Sequence, residues 1–204
     1  RNHRAAVLPR LQDLSGMDLR KRPLILASAS PQRRRLLKRL GLPFKIVPSR
    51  VGENVPEKDP RKLVLLLAKK KARAVARRYP KSLVLGSDTV VYCRGEILVK
   101  PRNLSDSRRI LNLLNGRWHR VYTGVALAVD GGKKIHSEIC VSRTKARRLA
   151  PEKLQSLAGK HMDKSGSYAM QDKRDPFIEK VIGGKDNVIG LPLSAVRRLL
   201  KRAK

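Results

Sequence analysis

Acid is what this 204-residue chain most lacks: 16 Asp and Glu stand against 48 Lys and Arg, giving a formal charge of +32. Aromatics are scarce too, at 3%, which argues against a single-strand binder built on stacked bases and for phosphate contacts to a folded RNA or duplex. Cys93 and Cys140 are the only cysteines. They are too few for a disulfide framework or a structural zinc cluster, no CxxC or HxxxH spacing occurs, and a reducing compartment fits. No apolar run approaches the length of a membrane span. The basic residues are spread along the chain rather than gathered beside one amphipathic anchor, which sets a membrane surface aside as a partner.

What is present is a hydrophobic fraction of 41%, enough for the core of one domain or of two small lobes. Self-repulsion at this charge density opposes compactness, so a polyanionic partner is expected, with nucleic acid the first candidate. The stretch Arg1 to Arg22 opens without a methionine and has the composition of a processed organellar presequence or a basic arm; a truncated start would look the same. Residues 1–22 are taken as that arm and residues 23–204 as the folded domain.

Along the domain, Pro23 to Ala27 reads as a short strand. The Ser28-Ala29-Ser30-Pro31 turn leads into a helix with Ser30 as N-cap and Pro31 in the first turn, stopping at Gly41. Free N–H groups and the helix dipole beside Arg33 make that turn a candidate anion site, although many such turns hold no ligand. Phe44 to Val47 is a second strand. A long helix from Pro60 to Arg78 carries Leu63, Leu66, Leu67, Ala74 and Val75 on its apolar face. Its other faces carry Lys69, Lys70, Lys71, Arg73, Arg77 and Arg78 with few balancing acids, and are expected to meet RNA.

Leu83 to Val91 is an apolar strand interrupted by Asp88. Burying that carboxylate costs roughly several kcal/mol unless a cation, a metal or hydrogen-bond donors answer it. It is either a structural group capping Ser87 and Thr89 at a strand end or a functional one. Ile97 to Val99 leads to Lys100, and Ser105 caps a helix through Leu114. Trp118 to Val129 pairs with Ile135 to Ser142 across Asp130-Gly131-Gly132. A short helix starts at Pro151, and the polar loop Met162 to Tyr168 belongs near a site. A strand from Phe177 to Ile182 and a helix from Leu193 to Lys201 complete an α/β domain.

The ordered set Leu26-Ala27-Ser28-Ala29-Ser30-Pro31, Leu67-Ala68 with Lys71-Ala72, Gly86-Ser87-Asp88-Thr89-Val90-Val91, Lys100-Pro101, Thr123-Gly124-Val125, Asp163 to Tyr168 with Gln171, and Asn187 to Leu193 resembles the Maf nucleoside-triphosphate pyrophosphatases. Such domains also form the N-terminal part of acetylserotonin O-methyltransferase-like proteins. The resemblance implies an ITPase-like fold, an elongated mixed sheet flanked by helices around a nucleotide cleft. It also implies cleavage of (d)NTPs, pyrimidine or modified, to a nucleoside monophosphate and pyrophosphate. By the same resemblance Ser28, Ser30 and Arg33 hold phosphate, Lys71 and Lys100 neutralise the triphosphate, and Gln171 lies at the nucleotide. Glu53 and Asp88 hold Mg²⁺ or Mn²⁺ and activate water, with Lys100 completing the catalytic set. The family's paired arginines are Gln32-Arg33 here, its helix glutamate is Arg35, and its acidic cluster near Glu53 is diluted by Arg50 and Gly52. The glycine before Lys100 is Val99, and the aromatic near Lys145 to Leu149 is replaced or missing. Fewer acids weaken a site for a hard cation.

Charge and resemblance together predict a Maf-fold protein bound to rRNA within a ribonucleoprotein, in particular a mitochondrial or other organellar ribosome, with a partly retained pocket and neighbouring subunits as partners. Arg1, Arg4, Arg10, Arg20, Lys21, Arg22, Lys69, Lys70, Arg73, Arg77 and Arg78 are the expected RNA contacts, and the family-type homodimer is disfavoured by surface repulsion. The alternative is an active nucleoside-triphosphate pyrophosphatase using Mg²⁺ or Mn²⁺ in the cytoplasm.

Overall fold

The computed structural model describes residues 19–172 and 174–203. Its centre is a seven-stranded mixed sheet in the order β2-β1-β3-β5-β6-β7, with β4 added beside β3. β1 (Leu24–Leu26), β2 (Phe44–Ile46) and β3 (Leu83–Cys93) run parallel. β4 (Glu96–Leu98), β5 (Trp118–Val129), β6 (Lys134–Ala146) and β7 (Ile178–Ile182) join in antiparallel ladders.

Alternation within the strands decides which helix covers which face. Leu24 and Leu26 on β1 face a core shared with α1 (Pro31–Lys38) and α6 (Leu193–Lys201), whereas Ile25 faces α2 (Pro60–Ala76) through Ala68, Ala72 and Val75. α3 (Leu104–Leu114) and α4 (Pro151–Leu157) cover the far half of the sheet around Val91, Leu98 and Phe177. A short α5 (Lys185–Ile189) precedes α6. Among the described residues no helix is long and apolar enough to cross a membrane, and both cysteines are free thiols.

Ser30 caps α1 as its position indicates, accepting from Arg33 N, and Asp59 caps α2. α3 starts two residues earlier than its sequence suggests: Asn103 is the cap, accepting from Asp106 N at 2.8 Å, and Ser105 falls inside the first turn. The face of α2 also differs. Leu66 is exposed, and the buried stripe runs through Leu63, Val64, Leu67, Ala68, Lys71, Ala72, Val75 and Ala76. Lys71 therefore faces the sheet and not the basic outer surface.

Two glycines let α2 lie that low. A Cβ on Gly86 would stand 2.4 Å from the Ala68 carbonyl oxygen, and one on Gly124 would stand 2.4 Å from that of Val64. Gly124 is the cross-strand partner of Asp88, and Gly86 precedes Asp88 by two residues on the same face. The helix backbone thus touches the sheet on two sides of Asp88, within reach of a lysine on α2.

Candidate active site

β3 is longer than its neighbours, and that mismatch opens the site. β1 pairs with β3 from Leu83 to Leu85, and β4 pairs with it from Val91 to Cys93. Between them the edge of β3 from Gly86 to Val90 has no strand beside it among the described residues. A cleft of about 790 Å³ occupies the gap, beyond the carboxyl end of β1, where open α/β sheets commonly hold ligands. Ser28, Ser30, Arg33, Glu53, Lys71, Asp88, Lys100 and Gln171 all line it.

Asp88 sits in the middle of an 11-residue strand, so it is not a strand-end cap for Ser87 and Thr89. Its partner is Lys71, whose ammonium donates to Asp88 Oδ1 at 2.6 Å and lies 2.6 Å from Glu53 Oε1. Lys71 and Asp88 are both buried, whereas Glu53 is exposed on the segment after β2. Lys100 lies 3.5 Å from the other Glu53 oxygen. One ammonium thus joins two carboxylates, and a second cation flanks the outer one.

The two carboxyls differ in environment. Burial pushes the Asp88 pKa up, against the opposing pull of Lys71 and Arg33. Glu53 also loses solvent, but the Lys71 hydrogen bond and the charges of Lys71, Lys100 and Arg33 outweigh that loss and hold its pKa below the usual value. Opposite displacement of two neighbouring carboxyls is a recurring feature of sites that move protons.

Arg33 is anchored from three directions. Its Nε donates to the Gly190 carbonyl at 2.9 Å, Nη1 to Ser28 Oγ at 3.4 Å, and Nη2 to Thr89 Oγ1 at 3.3 Å. The guanidinium is thereby held beside the Ser28-Ser30 turn, where Ser30 N donates to Ser28 Oγ at 3.2 Å. Gln32 supplies no second charge: its Oε1 accepts from the Ser30 hydroxyl at 3.0 Å. The loop Met162 to Tyr168 does border the cleft, through Asp163, Lys164 and Ser165, and Ser165 Oγ donates to the Thr89 carbonyl at 2.8 Å.

Sequence reasoning missed Thr89, Lys164, Arg50 and the Gly190 carbonyl as parts of this wall. Arg50 carried a signal only as a departure from the family pattern, and it adopts a left-handed φ of 52°. Thr89 and Lys164 lay inside quoted motifs, but nothing in their spacing indicated which way they turn.

Among the described residues no three His, Cys, Asp or Glu side chains cluster as a metal site. The donor set nevertheless suits one kind of ion. Glu53 and Asp88 offer hard oxygens around a position already attractive to a cation, as the Lys71 ammonium between them demonstrates. Mg²⁺-like ions commonly take one or two carboxylates and complete their shell with water and phosphate oxygens.

The residues expected to hold RNA fall elsewhere. Lys70 and Arg73 are exposed on α2, Arg77 and Arg78 are exposed in the turn just past its end, and Lys69 is half-buried. Arg20 and Lys21 are exposed, while Arg22 bonds the Ala203 carbonyl at 3.1 Å and Asp130 at 3.3 Å. Arg1, Arg4 and Arg10 lie outside the described residues.

Residues 23–203 match the family described as Maf-like protein. A dTTP/UTP pyrophosphatase of Elusimicrobium minutum is 46% identical over 178 residues, covering 87% of this chain and 97% of the relative. The dTTP/UTP pyrophosphatase of Moorella thermoacetica is 44% identical, covering 87% and 93%, and that of Deinococcus radiodurans 38% identical, covering 88% and 92%. These relatives overturn the expectation of an rRNA-bound ribonucleoprotein component with structured RNA and ribosomal subunits as partners: proteins alike over nearly the whole fold are named for nucleotide chemistry. The organellar setting, inferred from the same charge, finds no support in relatives that are bacterial. A net charge of +32 speaks to solubility and non-specific association, and it names no partner. Family match, sheet order and the ordered motifs around the cleft agree, and the chain belongs to the Maf-like protein family.

Proposed function

We propose that this chain hydrolyses nucleoside triphosphates between the α- and β-phosphates, releasing a nucleoside monophosphate and pyrophosphate, with dTTP and UTP as the substrates to try first. The observation that carries the reading is the convergence of Arg33, Lys71 and Lys100 with Glu53 and Asp88 in one cleft, supported by the names of the relatives. Phosphoryl transfer requires mainly positioning and charge stabilisation, and this cleft presents both.

In this reading Ser28, Ser30 and Arg33 orient the phosphate chain. Arg33 is fixed in advance by Gly190, Ser28 and Thr89, which limits the reorganisation needed when substrate enters. Lys71 and Lys100 offset charge on the triphosphate, and Gln171 lies at the nucleotide. Asp88 accepts the proton of the attacking water. Mg²⁺ or Mn²⁺ is the cofactor, held by Glu53 and Asp88. Bound there, the ion polarises phosphoryl oxygens and lowers the pKa of water. The bacterial relatives favour a cytoplasmic setting. Phosphorus NMR of a dTTP digest tests the bond cleaved: dTMP with pyrophosphate is the expected pair, and dTDP with phosphate refutes the reading.

A further inference from the structure

We propose that Lys71 is a displaceable placeholder for the metal, so that the divalent ion and the triphosphate bind as a mutually dependent pair. This rests on the pyrophosphatase reading of the cleft and adds to it an order of events. Lys71 Nζ is 2.6 Å from an oxygen of Glu53 and 2.6 Å from an oxygen of Asp88, and its side chain is 7% exposed. A hard divalent ion takes carboxylate oxygens at about 2.0–2.1 Å. An ion that takes those two oxygens comes to stand where the ammonium stands, and the repulsion of two like charges at that separation drives the ammonium off.

The placeholder also has a reason to exist. Without a cation between them, Glu53 and the buried Asp88 would repel one another, and an unanswered buried carboxylate is costly. Lys71 answers both in the free protein. When the ion takes the carboxylates, the ammonium needs a new anion. Among the described residues the cleft lining offers Arg33, Arg50, Lys100 and Lys164 but no acid beyond Glu53, Asp88 and Asp163, and Asp163 is already paired with Lys164 at 2.7 Å. A triphosphate supplies that anion. Metal binding alone therefore breaks two charge-assisted contacts without replacement, whereas metal with triphosphate exchanges them.

The test uses Mn²⁺ binding without turnover, followed by electron paramagnetic resonance at pH 8. Lys71→Met should bind Mn²⁺ at least about tenfold more tightly than the parent protein, since no ammonium has to leave. Lys71→Arg, which retains the charge, should bind as weakly as the parent. A second measurement on the unaltered protein covers the case in which Lys71→Met does not fold. Brief acetic anhydride labelling with mass spectrometry should find Lys71 protected in the free protein, labelled faster with saturating Mn²⁺, and protected again with Mn²⁺ and a non-hydrolysable dTTP analogue. Equal or weaker Mn²⁺ binding by Lys71→Met, no binding by either protein, or labelling that ignores Mn²⁺ overturns the proposal. Neither measurement needs catalysis. A chain that exchanges Lys71 for Mn²⁺ yet cleaves no nucleotide overturns only the pyrophosphatase reading.

Discussion

Replacing Gly86 with alanine asks whether the close seating of α2 is what brings Lys71 to Asp88. The glycine has ordinary strand dihedrals, so an added methyl strains the contact and not the backbone. Its Cβ would lie 2.4 Å from the Ala68 carbonyl oxygen and 2.8 Å from Ala72 N. Real Cβ contacts essentially never fall under 3.0 Å, and both atoms belong to helix backbone that cannot rotate away. α2 must therefore lift from β3 just where Lys71 departs. Overpacking of this kind costs about 1–3 kcal/mol, a fall of about 2–12 °C in melting temperature for a chain of this size. The lift also carries Lys71 out of register with the triphosphate it is proposed to meet, so kcat/KM for dTTP should fall beyond the loss of folded protein. Gly52→Ala is the control: nothing lies within 4 Å of its Cβ, and its stability should stay within about 0.5 kcal/mol of the parent. The assays are calorimetry and pyrophosphate release at a temperature where both variants are folded. A Gly86→Ala protein that melts within about 1 °C of the parent and turns over equally refutes the argument.

Two further substitutions probe residues packed behind the walls of the site. His119 is buried against Tyr168, with Nε2 3.0 Å from its hydroxyl, and burial lowers its pKa from 6.5 to about 4. The unfolded chain therefore takes up this proton first, and the neutral ring's contribution of about 3 kcal/mol is present above pH 6.5 and lost as pH falls toward 4. His119→Gln should flatten that part of the stability–pH curve measured by urea titration; an unchanged slope between the two values contradicts the assignment. Gly190 has φ +116°, and a Cβ there would press on Thr89 Oγ1 at 3.2 Å and Arg33 Nε at 3.4 Å. Gly190→Ala should lose about 1–3 kcal/mol to backbone strain and, through the displaced guanidinium, raise KM for dTTP more than it lowers kcat. Steady-state kinetics separate the two parameters.

Much of this architecture was legible where local chemistry speaks. Ser30-Pro31 marked the start of α1, and Asp130-Gly131-Gly132 marked the reversal between β5 and β6. α5 escaped notice because five residues are too few for a periodic pattern. β6 ran on from Ser142 to Ala146 because β5 and β7 pair with it there, which its polar sequence does not announce. The site residues were named through family motifs, and the cleft gathers all eight. Their connections were invisible. The family motif set Lys71 apart from the other charges of a basic helix, but only the glycines beneath α2 show how it turns inward, and Arg33 finds its carbonyl 157 residues away. Charge misled most, since a count of lysines and arginines ignores which of them face a cleft.

The claim that this cleft is a working pyrophosphatase site turns most directly on Asp88. Pyrophosphate release from dTTP and UTP with Mg²⁺ or Mn²⁺ should be readily measured for the unaltered chain, and Asp88→Asn should lower kcat about 100-fold or more while remaining folded. Turnover of no nucleoside triphosphate by the unaltered chain, or equal turnover by Asp88→Asn, would contradict it.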